Sequence, residues 1–148
     1  MGPVSLVVPG SGVSFSYAGS PVSVLAGADG QVDFASAEMT VPPRFRGPIP
    51  HVHDTFDEAI YVVTGRLLAG TGTDEPGEAA TGAMLVAPRG VRHFFSNPFD
   101  EPARVLGIWS PARIGLEFMK AVGAALPASG PPDPNLMREI YEAHGSRL

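Results

Sequence analysis

The sequence predicts an all-β fold, a barrel or sandwich of short strands, followed by a short helical tail. Two observations carry that expectation. Eighteen glycines and sixteen prolines are spread between short apolar runs, which is the punctuation of many tight turns and not of one disordered tract. After Ser110 the apolar spacing changes from alternation to every fourth residue, the period of a helix face. With 148 residues, 44% of them apolar, the chain suffices for one domain with one core. No repeat and no long linker divides it. It reads as one domain over 1–148, with the barrel over about 1–110 and the tail over 111–148.

Taken in order, Val4 to Val8 is an apolar run of strand length, and Val13, Phe15 and Tyr17 alternate with small polar residues as a half-buried strand does. Gln31 to Val41, with Val32, Phe34 and Met39, is a longer strand-like stretch. Pro42, Pro43, Pro48 and Pro50 then make an irregular approach to His51. Glu58 to Thr64 (EAIYVVT) is β-branched and aromatic, and Gly65 ends it. Arg66 to Thr71 reads as its hairpin partner. Thr73 to Ala80, with Asp74, Pro76 and Gly77, reads as a turn. Ala83 to Ala87, Arg92 to Phe95 and Ala103 to Trp109 are three further strands. Ser110 before Pro111 gives a helix cap with proline at the first position. Ile114, Phe118, Val122 and Ala125 form one helical face. Pro127 to Pro132 breaks it. Asp133 with Pro134 starts a second helix, with Leu136, Ile140 and Tyr141 on its apolar side and Gly145 as its stop.

Composition excludes several classes of function. The net charge is −5 and the arginines are scattered, so nucleic acid is not the expected partner. There is no cysteine, so disulfides, thiolate metal sites and thiol nucleophiles are out. The start of the chain does not read as a secretion signal, and the longest apolar runs are strand-sized, short of the roughly 20 residues a bilayer requires. A cytoplasmic location, no membrane contact and a small-molecule partner are the expectations. Strand edges that need covering add the expectation of a homodimer.

Three of the four histidines lie in two short segments. In His51-Val52-His53 the two imidazoles are two residues apart, so on a strand they share a face. Glu58 lies five residues beyond His53, an odd offset. Residues 54 to 57 must therefore bend or bulge for Glu58 to turn inward, with Ile60, Val62 and Thr64 on its side. In the second segment Pro88 and Gly90 make a turn, and His93 enters the next strand with Phe95 on its face. Three imidazoles and one carboxylate suit a single divalent transition metal. Iron, manganese, nickel, cobalt, copper and zinc all satisfy the donor types. Four protein ligands in an octahedral shell leave two positions open, as a catalytic site requires.

The spacing then becomes specific. His51, His53, Glu58 and Gly65 fit the pattern H-x-H-x4-E-x6-G, and Gly82, Pro88, Gly90, His93 and Asn97 fit G-x5-P-x-G-x2-H-x3-N. Together they resemble the two motifs of small cupins. The glycine that this family places six residues before the first histidine is Phe45 here, and the nearest glycine is Gly47. The resemblance implies a double-stranded β-helix, a jelly-roll barrel with a metal inside, held by His51, His53, Glu58 and His93. The tail after Pro111 resembles that of small cupins described as quercetin-dioxygenase-like. That likeness implies an oxygen-using enzyme acting on a small enol, diketone or aromatic substrate, with Glu58 both ligand and proton acceptor. A non-redox isomerase or cyclase, or a small-ligand binder without turnover, are the alternatives. Asp54 and Asp57 read as solvated turn acids, Asn97 as a turn-fixing residue and His144 as exposed. Arg44, Arg46 and Arg92 read as surface. Phe34, Phe45, Phe94, Phe95, Trp109 and Phe118 read mostly as core.

Overall fold

The computed structural model describes residues 3–148. Its elements in chain order are β1 (Ser14–Tyr17), β2 (Ser20–Ala26), β3 (Ala35–Val41), β4 (Val52–His53), β5 (Asp57–Thr64), β6 (Arg66–Gly70), β7 (Gly77–Ala80), β8 (Met84–Ala87), β9 (Phe94–Ser96), β10 (Ala103–Ser110), α1 (Ala112–Ala125), α2 (Pro134–Ala143) and β11 (Ser146–Arg147). Six strands form one sheet in the order β1-β2-β3-β10-β5-β8. Three form a second, β7-β6-β9, and β11 pairs with β4. All pairings are antiparallel. This is the jelly-roll barrel with a helical tail that the motifs imply.

Alternation explains the large sheet. β10 buries Ala103, Val105, Gly107 and Trp109 and leaves the residues between them more exposed. β5 buries Glu58, Ile60 and Val62 in the same way, while Thr64 at its end is exposed. Their inward faces meet Val22, Val24, Met39, Val41, Leu67 and Phe95 in one core, where each large apolar side chain contributes about 1.5–3 kcal/mol by leaving water. Helix α1 packs against β1, β3 and β10, and buries Leu116, Phe118, Met119 and Val122. The tail therefore shares the barrel's core.

Several elements differ from the sequence reading. Val4 to Val8 is not a strand, and its apolar side chains are exposed, Val4 and Leu6 almost fully. Among the described residues no strand pairs with it, and hydrophobicity alone makes no ladder. The strand expected from Gln31 begins only at Ala35, because Asp29 accepts a hydrogen bond from the Gln31 N–H (3.1 Å) and turns the chain. β2 carries no strict alternation and was not foreseen. It exists because it lies between β1 and β3. The turn at Thr73 is shorter than expected, and Gly77–Ala80 pairs with β6.

β6 is not the hairpin partner of β5. The two strands lie in different sheets. Gly65 between them has φ of 83°, and a Cβ there would sit 2.8 Å from the Pro102 carbonyl oxygen. Only glycine takes this corner without strain, and the corner sends the chain across the barrel. The helix cap is also displaced by one residue. Ser110 ends β10 and donates its hydroxyl to the Asp33 carbonyl (2.9 Å), so Pro111 holds the cap position. Asp133 does cap α2, accepting from the Asn135 and Leu136 N–H groups.

Trp109 is seated between two glycines. A Cβ on Gly107 would lie 2.5 Å from its ring, and a Cβ on Gly115 would overlap its Cβ. Alanine ordinarily favours a helix over glycine by about 1 kcal/mol, but here the overlap decides the sign. Gly115→Ala is expected to destabilise the fold by roughly 1–3 kcal/mol, read as a lowered midpoint in urea unfolding. An unchanged or raised midpoint would show that Trp109 has slack to move.

Candidate metal centre

His51, His53, Glu58 and His93 are all buried, at 3%, 1%, 7% and 3% exposure, and each offers one ligand atom within 4.8 Å of all the others. Each is set by a different constraint. His51 and His93 face each other across an isolated antiparallel bridge, exchanging backbone hydrogen bonds of 3.0 and 2.9 Å. His53 lies in β4, opposite Ser146 of β11, and its carbonyl accepts from the Gly90 N–H (2.7 Å). Glu58 lies opposite Trp109 on one side and Ala87 on the other.

The odd offset between His53 and Glu58 is resolved as the sequence requires. Residues 54 to 56 leave the strand conformation. Phe56 goes fully inside and stacks on the His53 ring at 4.1 Å. Thr55 donates to the His144 carbonyl (3.2 Å). Asp57 then accepts from the Arg89 backbone (2.8 Å) and guanidinium, which ties the start of β5 to the Pro88–Gly90 turn. Arg89 holds the Asp57 carboxyl down at about 2. Asp54 pairs with Arg147. Both acids lie outside the cluster, but only Asp54 is in the bend; Asp57 opens β5, and each is ion-paired and not simply solvated.

The outer ring nitrogens fix the tautomers. His51 Nδ1 lies 2.8 Å from the Ile49 carbonyl, and His93 Nδ1 lies 3.0 Å from the Val91 carbonyl. A carbonyl only accepts, so both Nδ1 atoms carry hydrogen. Their Nε2 atoms face inward. His51 Nε2 lies 3.2 Å from His53 Nε2, and Glu58 Oε2 lies 3.1 Å from His53 Nε2 and 3.0 Å from His93 Nε2. The other carboxylate oxygen, Oε1, accepts from the Trp109 indole N–H (3.2 Å). His53 Nδ1 meets the Ser146 hydroxyl at 2.7 Å. A hydroxyl both donates and accepts, so Ser146 serves either tautomer of His53.

The electrostatics follow from this packing. Burial lowers His51 to about 4, and His93 and His53 add to the effect. Burial also pulls His93 down, but its hydrogen bond and attraction to Glu58 outweigh it and leave it raised. Burial alone raises Glu58. Its hydrogen bonds to His53 and His93, with their charge, more than offset that and hold it well below the usual carboxylate range. The inward Nε2 atoms and Glu58 Oε2 thus enclose, at hydrogen-bonding distances, the small volume that a dication would occupy. A first-row metal about 2.0–2.2 Å from each donor needs only sub-ångström adjustment of this arrangement. The donor set fits such an ion: neutral imidazoles through Nε2, one carboxylate oxygen, and outer nitrogens already hydrogen-bonded as ligand histidines require.

Residues 37–109 match the family model for the cupin domain. This chain carries a cupin domain. Over 90 residues, 58% of its length, it is 36% identical to a germin-like protein (subfamily 2, member 3) of Arabidopsis thaliana, and spans 40% of that relative's length. The fold is similar to that of KdgF from a Halomonas species, with a TM-score of 0.63, 21% identity and coverage of 77% of this chain and 99% of that one. It is also similar to the polyketide cyclase RemF of Streptomyces resistomycificus, with a TM-score of 0.60, 21% identity and coverage of 73% and 80%.

Sequence reading found the four clustered side chains but not their supports. Ser146, Trp109 and Tyr141 come from elements with no motif. Trp109 could be placed only by knowing the register of β10 against β5. Asn97 fixes its turn as expected: its amide donates to the Val41, Pro42 and Glu101 carbonyls, and its oxygen accepts from Phe99. His144 is not exposed. It is half-buried, with Nδ1 2.7 Å from the Ile140 carbonyl and its ring beside Phe118. Phe34 is exposed, against its expected place in the core, whereas Phe95, Trp109 and Phe118 are buried. Arg44, Arg46 and Arg92 are at the surface, and Arg44 pairs with Asp100. No helix is long and apolar enough to cross a membrane among the described residues.

Two outcomes test the site. Metal and protons compete for the same atoms, and His93 is raised above 6.5. Zinc affinity is therefore expected to start falling above pH 6.5 as pH drops, by up to about tenfold per unit for each proton displaced, with His51 contributing only near pH 4. Competition titrations against a chelating dye between pH 5.5 and 8 check this, and a flat profile would contradict it. Ser146→Ala removes the partner of His53 and should weaken zinc binding roughly tenfold at an unchanged circular dichroism spectrum.

Proposed function

We propose that this chain is a metal-dependent small cupin of the quercetin-dioxygenase-like kind, in which His51, His53, Glu58 and His93 hold one divalent transition metal. In this reading it is an oxygen-using oxidoreductase acting on a small enol, diketone or aromatic substrate. One observation carries the proposal. His51, His53 and Glu58, three of the four clustered residues, line a cavity whose other walls are largely apolar, among them Met39, Ile60, Phe95, Val105, Phe118 and Met119. Such walls suit the reactive end of a ligand whose larger body stays outside the cavity. The cavity lining contains no lysine or arginine, so negative charge on an enolate there would have to be met by the metal.

The metal would supply Lewis acidity at its open positions and, for iron, manganese, nickel or copper, a route for oxygen chemistry. The protein's own part is positioning and proton handling. Trp109 holds Oε1 and so turns Oε2 toward the imidazoles. Glu58 is the only carboxylate in the cavity lining, so a proton leaving an enol has one carboxylate to go to. Phe56 and Phe118 pack on the His53 ring, keeping water from its faces. The unpaired edges β1 and β8 of the large sheet favour a homodimer.

The test is elemental analysis of the protein as isolated, followed by oxygen-electrode traces with iron-, manganese- and nickel-loaded protein. A panel of flavonoids, diketones and catechol-like compounds is expected to include one that drives oxygen uptake, and the uptake should disappear with the metal in His93→Ala. Turnover of a panel member without oxygen would instead favour Lewis-acid isomerisation or cyclisation. No uptake with any compound on fully loaded protein would overturn the oxidoreductase reading.

A further inference from the structure

The cavity above the cluster has a volume of about 20 Å³, room for one water-sized body and no more. Outside it lies a groove of about 1190 Å³ between the proline-rich approach at 42–50 and the helical tail. Tyr17, Pro48, Val122 and Tyr141 line both spaces and so form the partition between them. Two of the four carry a polar atom. Tyr17 comes from β1 and Tyr141 from α2, so two separate elements bring a phenol to the partition.

Both rings are held. Tyr141 stands edge-on to His51 at 5.2 Å and to Phe118 at 5.0 Å, and Tyr17 stands edge-on to Phe45 at 6.2 Å. Both residues are more than nine-tenths buried, at 6% and 3% exposure. Every fully enclosed side-chain nitrogen or oxygen among the described residues has a hydrogen-bond partner. The two phenol hydroxyls have none among the described residues, so they must border open space. The other polar side chains of the cavity are committed: the Trp109 N–H goes to Glu58, and the remainder are the cluster itself.

We propose that Tyr17 and Tyr141 are substrate-binding residues whose hydroxyls donate to the oxygen of an enolate- or carboxylate-type ligand, its oxygen-bearing end in the cavity and its body in the outer groove. The inference rests on the metal reading above and adds the contacts that select the ligand. Phenols are donors at neutral pH, and a pair of neutral donors favours an oxygen that carries negative charge. The size difference between the two spaces explains the division of the ligand. Its reactive end enters past the partition, and an apolar remainder meets Phe45, Phe94 and Met137 in the groove.

The test uses the full chain loaded with cobalt(II) and acetylacetone as the probe, followed by the visible spectrum of the metal. Tyr17→Phe and Tyr141→Phe keep the rings and remove only the hydroxyls. Each is expected to bind cobalt with unchanged stoichiometry and an unchanged probe-free spectrum. Each should raise the dissociation constant for acetylacetone about three- to tenfold, the effect of one lost neutral hydrogen bond. An unchanged constant in a folded variant removes that tyrosine from the binding site, and unchanged constants in both overturn the proposal. So does wild-type protein that binds cobalt but not the probe. Failure of the wild type to bind cobalt is a different result: it sinks the metal reading, and this inference with it. If one variant does not fold, the other still decides.

Discussion

Three imidazole nitrogens and a carboxylate oxygen are packed within 4.8 Å of one another in a nearly dry interior, and that crowding is the constraint on which the rest of the structure depends. Lone pairs and a negative charge at this separation repel unless positive charge lies among them. Burying such a group uncompensated costs several kcal/mol. Mutual attraction meets the requirement in part: against the opposing effect of burial, Glu58 is held acidic by His53 and His93, and His93 is raised by Glu58, whereas burial lowers His51. A dication meets it with all four groups in their ligand forms.

The scaffold resists the repulsion by anchoring each group through backbone. His51 and His93 cannot separate without breaking their reciprocal bridge. His53 is tied on both sides, to Gly90 by its carbonyl and to β11 by its ring. Glu58 sits on a strand flanked by β10 and β8. The ion pair between Arg89 and Asp57 looks peripheral, since both are half-exposed, and such pairs add little to stability. Its value is geometric. It fastens the turn before His93 to the residue before Glu58, joining the two motifs at their nearest exposed point.

The ligands were legible in the sequence because they obey local rules. The two-residue spacing of His51 and His53 gives a shared face, and the odd offset to Glu58 demanded the bend that Phe56 and Thr55 make. The barrel was legible from the turns and from the alternation in β5 and β10. What escaped had its cause elsewhere in the chain. Val4 to Val8 had the composition of a strand but no partner, and β2 had a partner but no clear pattern. Arg66 to Thr71 reads as the mate of β5 because adjacent strands usually pair, but Gly65 turns the chain into another sheet. Trp109 and Ser146 serve the site only through register, 51 and 93 residues away in sequence from the groups they touch, and no single-sequence pattern encodes that pairing.

The helical tail shows how far the site extends beyond its motifs. The cupin-family match ends at residue 109, yet Phe118 and Tyr141 pack on the ligand histidines and Ser146 holds one of them. Without those residues the barrel mouth would open onto His51 and His53, and His53 Nδ1 would lose its protein partner. The same tail that narrows the cavity to the size of a water molecule also hydrogen-bonds the outer nitrogen of His53. The cavity mouth and His53 are therefore coupled through adjoining elements of the tail, Tyr141 of α2 lining the first and Ser146 of β11 hydrogen-bonding the second. A bare barrel with identical motifs would lack that coupling. The geometry of this site is accordingly a property of barrel and tail together, and substitutions in α2 belong with those in the motifs when the site is dissected.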